Sequence, residues 1–242
     1  IYWGMEFDDG VNIKINPVDA VSVLPTNPPR EIRLSEVQIK KLGETLLNAD
    51  ECEIAIDAIK LILLTGMRKS ELIGDFDRDI VGLTWDRINF DECTARVYTK
   101  RRRTISKQTR LVFLGEKAVS LLKKIPRINN NPFVISGKND NSSFVGLQKI
   151  WERLRCDAGF AIEGEPKDSD PGIHDLRRTF GSVGHNIGLK SFVPELLGHG
   201  TQNVTDGYTW AEKQRLVAAA NEIGNRIDSL LTVNDGIYDW SI

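Results

Sequence analysis

The chain has 242 residues, 40% of them hydrophobic, enough to bury a sizeable core in one large domain with extra segments or in two small ones. Its formal net charge is −2 and its sequence pI about 6.0, so composition alone does not announce a nucleic-acid binder; only a face that meets phosphate must be positive. Three widely spaced cysteines, Cys52, Cys93 and Cys156, argue against a disulfide framework and for a reduced, intracellular protein, with no membrane-length apolar run and no signal-peptide pattern.

Residues 1–29 carry Pro17, Pro25, Pro28 and Pro29 and read as a linker or the end of a preceding domain. The chain opens on Ile1 instead of methionine, which reads as a fragment or trimmed piece. Order is expected from Leu34: Ser35 and Gln38 form a capping box, Leu34 and Ile39 a hydrophobic staple, and a helix follows to about Leu47. A second helix, roughly 53–65, is apolar on most sides through Ile54, Ile56, Ile59, Leu61, Ile62, Leu63 and Leu64, and stops at Gly66. Short strands are expected at 87–90, 94–99 and 110–114, with a long basic loop between the last two.

Helices return at about 116–125, at 143–158 with Gly159 as the stop, at 174–187 with Gly188, and at 191–197 with Gly198. The last, 210–231, spaces Leu216, Ala220, Ile223, Ile227 and Leu230 four and three residues apart. The fold class is therefore mainly α, an α+β arrangement of helices with one small antiparallel sheet. Trp85 and Trp151 read as core, and His185 as a packing or surface residue; Trp210 is left open.

Four places carry chemistry. In Thr65-Gly66-Met67-Arg68-Lys69-Ser70-Glu71-Leu72, an arginine just past a buried helix is fixed at its base while its guanidinium reaches outward. Glu71, three residues on, can orient it if the turn is helical; the plainer reading is an ordinary Arg–Glu pair. The stretch from Thr94 to Gly115 holds Arg96, Lys100, Arg101, Arg102, Arg103, Lys107 and Arg110 without an acidic residue, which suits phosphate contact or, more plainly, a solvated loop. His174 and Arg177, three apart at a helix start, share a face on which an anion can be gripped; taken alone they read as a capping histidine and a surface arginine. Finally, Leu196-Leu197-Gly198-His199-Gly200 is followed by Tyr208, nine residues after His199.

In this order, the set resembles the tyrosine recombinase family, which includes phage integrases. The family pattern is an arginine in a Thr-Gly-x-Arg-x-x-Glu-Leu turn, a hairpin lysine, His-x-x-Arg, a Leu-Gly-His box and a tyrosine nine residues beyond that histidine. The resemblance covers about residues 30–231 and implies a catalytic domain there, with 1–29 a linker or the end of a core-binding domain and 232–242 a C-terminal tail. It puts Arg68 and Arg177 on the non-bridging oxygens of a scissile phosphate, His174 beside Arg177, His199 as second histidine, Tyr208 as nucleophile and Glu71 as the carboxylate behind them. Lys100 becomes the hairpin lysine with Lys107 its rival, and Arg101, Arg102, Arg103 and Lys107 become DNA contacts. Two departures stand out. The hairpin is long, and residues 73–80, with Asp75, Asp77 and Asp79, are an insertion expected to loop away from the site although able to shift Glu71.

The chemistry suits the residues. Attack on a phosphodiester adds negative charge to the equatorial oxygens, which two fixed guanidinium forks can neutralise without metal. Two such cations and a nearby histidine are expected to favour phenolate character on Tyr208, and the lysine is a plausible general acid for the departing 5′ oxygen. The resemblance thus implies DNA strand transfer through a 3′-phosphotyrosyl link, without metal, cofactor or ATP, on double-stranded DNA in a prokaryotic cytoplasm, by a homo-tetramer on paired sites. Three rivals stay open: a type IB-like topoisomerase, a DNA-binding relative without catalysis, and a metal-dependent phosphoesterase using His174, Asp175 and His199.

Overall fold

The structure is a computed structural model and describes residues 32–99, 109–160, 170–198 and 207–232, all within one unit, 32–242. The proposed linker, the hairpin tip, the stretch 161–169, the segment 199–206 and the tail lie outside the described residues.

Helix α1, Glu36–Asn48, begins as its sequence dictates: Ser35 accepts from the Gln38 backbone and Gln38 answers at the Ser35 N–H, 2.9 Å away. Leu34 and Ile39 are both buried beside that cap. Helix α2, Glu53–Thr65, buries most of its length and forms the centre of the molecule, packed against α4 (Glu116–Lys124), α5 (Leu147–Asp157), α6 (Ile173–Asn186) and α8 (Trp210–Leu231). An apolar helix of this kind is stable only when enclosed. Trp151, fully buried on α5, satisfies its indole N–H on the Pro171 carbonyl at 2.8 Å, while His185 and Trp210 lie exposed.

The sheet runs β1 (Ile88–Asn89), β2 (Thr94–Tyr98) and β3 (Thr109–Phe113), antiparallel throughout. Register pairs Ala95 with Val112 and Val97 with Arg110, so these four share one face; Thr94, Arg96, Leu111 and Phe113 share the other. The expected fold class holds, with a three-stranded sheet on a helical body.

Several elements depart from the expectation. The helix expected at 143–158 starts only at Leu147, because Phe144 donates to the Ile135 carbonyl and Gly146 takes φ +98°, outside the helical range. The helix expected at 191–197 shortens to α7, Val193–Leu196, with Pro194 in its first turn. A five-residue helix α3, Lys69–Ile73, and 3-10 turns at Phe76–Arg78 and Trp85–Arg87 were not foreseen; Trp85 packs half-buried against the edge of the core, its ring 4.8 Å from the Arg127 guanidinium. The insertion closes on itself, with Asp75 and Ile80 exchanging backbone hydrogen bonds of 2.8 and 3.0 Å. Leu83 then donates to the Leu72 carbonyl at 3.0 Å, so the chain rejoins its path directly behind α3.

Candidate active site

The site grows from the end of α2. Gly66 ends that helix in the left-handed region, φ +64°, donating to the Ile62 carbonyl at 2.9 Å. A Cβ there would stand 2.7 Å from a Leu197 methyl and 2.8 Å from the Phe180 ring, so both backbone and space demand glycine. Two residues later Arg68 caps α3. Glu71, in that helix's first turn, accepts the Arg68 backbone N–H at 2.8 Å and the Arg68 guanidinium at 2.6 Å. The Thr-Gly-x-Arg-x-x-Glu spacing is therefore a helix stop, a cap and a reciprocal carboxylate.

Glu71 is 1% exposed and serves as a hub. Arg110 of β3 grips it bidentately, Nε to Oε1 at 3.0 Å and Nη2 to Oε2 at 2.8 Å. Arg177 of α6 stands 4.0 Å from Oε2, its fork held instead by the Gly66 carbonyl at 2.5 Å and by the Leu197 carbonyl. Burial alone would raise the Glu71 carboxyl; Arg110, then Arg177 and Arg68, overcome it and hold the group at about 2. Burial, then Arg110 and Arg68, push Arg177 down to about 9 against the pull of Glu71, and it stays a cation at neutral pH. Three guanidinium groups around one carboxylate leave an excess of two positive charges within this cluster, a standing invitation to an anion.

Helix α6 starts at Gly172, whose N–H donates to Asp175 at 2.8 Å; the same carboxylate pairs with Arg178. His174 is largely exposed on the first turn, with Arg177 buried one turn further on. Partial burial, then Arg178 and Arg177, lower the imidazole below its ordinary value, with Asp175 opposing and Arg68 adding to the shift. At neutral pH it is a neutral donor or acceptor beside two arginines. Asp175, the middle member of the metal-site rival, is thus committed to a cap and an ion pair, and among the described residues no group of three His, Cys, Asp or Glu side chains gathers for a metal.

Tyr208 is half-buried with its ring edge-on to Phe113, centroids 5.5 Å apart. It lines a groove of about 530 Å³ with Thr94, Arg96 and Leu111, the face of the sheet opposite Arg110. Burial, then Glu195 and Glu212, raise the phenol above its ordinary value, and Arg110 only partly offsets them. This corrects the expected phenolate character. In this arrangement the acidic neighbours at the ends of α7 and α8 outweigh the cations, and the hydroxyl stays protonated.

Arg177 is brought from more than a hundred residues away to Arg68 and Glu71, which lie three apart, with His174 at their rim; Tyr208 is set over the sheet. Lys100, Arg101, Arg102, Arg103, Lys107 and His199 lie outside the described residues. The residue missed by sequence reasoning is Arg110. Its signal was there: alternation back from buried Val112 turns Arg110 inward, so it belongs to the core-facing row and not to the solvated basic run.

A family model described as "Phage integrase family" matches residues 33–215. No curated protein sequence matches the chain. Among solved structures, the integrase of the Tn1549 transposon in complex with circular intermediate DNA is similar with a TM-score of 0.54 at 19% identity, covering 83% of this chain and 68% of that one. The integrase from mycobacterium phage Brujita gives 0.58 at 18%, covering 88% and 69%. A lambda integrase dimer bound to a core site gives 0.56 at 18%, covering 81% and 67%. At such identities these likenesses speak for the fold.

Proposed function

The chain belongs to the phage integrase family, and from that premise we propose that it is a site-specific DNA recombinase acting through a 3′-phosphotyrosyl intermediate. The observation that carries this reading is the pair of guanidinium groups, Arg68 and Arg177, fixed from distant segments around one buried carboxylate beside His174. Arg68 and Arg177 neutralise the two non-bridging oxygens of the scissile phosphate, and His174 hydrogen-bonds the same group. The Tyr208 hydroxyl attacks phosphorus, forming the new O–P bond as its proton passes to the neutral His174 imidazole. The bond to the 5′ oxygen breaks, and that oxygen takes a proton from Lys100, or from Lys107 in its place. His199 completes the set on the phosphate.

Burial, then Glu195 and Glu212, hold the phenol above its ordinary value, so attack depends on a group that accepts its proton. The protein–DNA linkage keeps the energy of the broken bond, so a second 5′ hydroxyl reverses the step without ATP. The reaction needs no metal, since the arginines supply the charge that a divalent ion would otherwise bring. The partner is double-stranded DNA, additionally contacted by Arg101, Arg102, Arg103 and Lys107, and four copies work on paired sites. The catalytic domain is 30–231, with 1–29 a linker or the end of a core-binding domain and 232–242 a tail.

A suicide substrate, nicked so that the 5′ product diffuses away, tests the reading. The protein should become covalently attached to DNA and Tyr208→Phe should not; equal trapping by both rejects Tyr208 as nucleophile. Formation of junctions between two duplexes, against relaxation of supercoils alone, separates a recombinase from a topoisomerase.

A further inference from the structure

Arg110 lies outside the residue set that the proposed reaction uses, yet it donates twice to Glu71 and also to the Leu111 and Leu196 carbonyls. A carboxylate offers roughly four lone-pair sites. On Glu71 all four have donors: the Arg68 guanidinium and Arg110 Nε on Oε1, the Arg68 backbone N–H and Arg110 Nη2 on Oε2. Two of the four come from Arg110. Arg177 makes only a long ion pair with Oε2, 4.0 Å, and places its hydrogen bonds on the Gly66 and Leu197 carbonyls. A bidentate Arg–carboxylate pair is among the strongest contacts available to a guanidinium, so an unsaturated Glu71 would draw Arg177 in.

The same Arg110 side chain reaches the Leu-Gly-His box. Nη1 donates to the Leu196 carbonyl at 3.3 Å, and its stem crosses Gly198 so closely that a Cβ there would lie 2.7 Å from Cδ. Leu197, between these two points, supplies the carbonyl that holds Arg177. One side chain of β3 thus fixes both the carboxylate that would capture Arg177 and the turn that keeps it away.

We propose that Arg110 is a positioning residue: by saturating Glu71 and bracing the turn at Leu196–Gly198, it holds Arg177 at its long 4.0 Å separation from Glu71 and directed at the scissile phosphate, instead of drawn into a direct hydrogen bond with the carboxylate. The proposal rests on the recombinase reading for its phosphate, and on the geometry of Arg110, Glu71 and Arg177 for everything else.

The test is single-turnover cleavage of a suicide substrate by the full chain, with DNA affinity and pH profile measured alongside. Arg110→Gln should cleave about 10- to 100-fold more slowly at nearly unchanged DNA affinity. With Arg110 gone the Glu71 carboxyl rises, so the acidic fall in rate should begin at a higher pH in the variant than in the parent. Arg110→Lys, which keeps the charge but not the fork, should restore the parental acidic profile and only part of the rate. If Arg110→Gln does not fold, Arg110→Lys carries the test alone: a rate deficit at parental affinity supports the proposal and a parental rate overturns it. Folded Arg110→Gln cleaving within about threefold of the parent, with the same pH profile, also overturns it. Should the parent itself form no adduct, the recombinase reading falls and takes this inference with it; a parent that reacts beside variants that react equally sinks the inference alone.

Discussion

Replacing Glu71 with Gln removes one negative charge from a 1% exposed position while keeping the side-chain shape. The amide presents one acceptor oxygen and an NH2 group. Whichever way it turns, NH2 faces donors: the Arg68 backbone N–H and Arg110 Nη2 on one side, or the Arg68 guanidinium and Arg110 Nε on the other. Three cations are then left without the carboxylate they surround. Removing one partner of a buried charge pair costs about 3–5 kcal/mol, because the others cannot return to water. In a domain of roughly 150–250 residues, each 1 kcal/mol moves the melting temperature by about 2–4 °C, so the expected fall is about 6–20 °C. Differential scanning calorimetry on parent and variant at neutral pH measures it. A shift below about 2 °C would mean that the arginines are solvated well enough not to need Glu71, and the hub would lose its energetic meaning.

Three further outcomes follow from the same geometry. Glu71 is held at about 2 when folded against an ordinary value of 4.5, so its stabilisation is complete above pH 4.5 and drains away as pH falls toward 2. The depression amounts to about 3 kcal/mol, visible in urea midpoints across that window and absent from the Gln variant. Tyr208, raised by burial and by Glu195 and Glu212, should titrate above the ordinary phenol value of about 10 in an ultraviolet difference titration of parent against Tyr208→Phe; a midpoint below that would contradict the placement. Gly198→Ala meets both a left-handed backbone, φ +64°, and the Arg110 stem at 2.7 Å; a loss of at least about 1–2 kcal/mol in chemical denaturation is expected, and an unchanged midpoint would show that the turn yields freely.

Much of this architecture is written locally. The Ser35–Gln38 box, the Gly66 stop and the period of α8 each specify their element through neighbours three or four residues away, and the elements formed there. The start of α5 was misread because its decisive partner is distant in space: Phe144 is taken by the Ile135 carbonyl, which outweighs the helical pattern of the following residues. Charge misled at Arg110, where a run of basic residues hid the two-residue period that turns this one inward. The Tyr208 environment was hidden for a similar reason. Glu195 and Glu212 flank it from different helices, and only packing brings them near. Arg68 and Glu71 could be paired from sequence because α3 joins them, whereas the contribution of Arg177 to the same hub needed α6 laid against α2.

A neutral linkage at the scissile position addresses the central claim most directly. Replacing one non-bridging oxygen by methyl removes the charge that Arg68 and Arg177 are proposed to meet. Single-turnover cleavage by parent and Arg177→Ala should then differ greatly on the natural phosphate and at least about tenfold less on the methylphosphonate. An equal deficit on both substrates would mean that Arg177 does not act on the phosphate charge, and the account would fail.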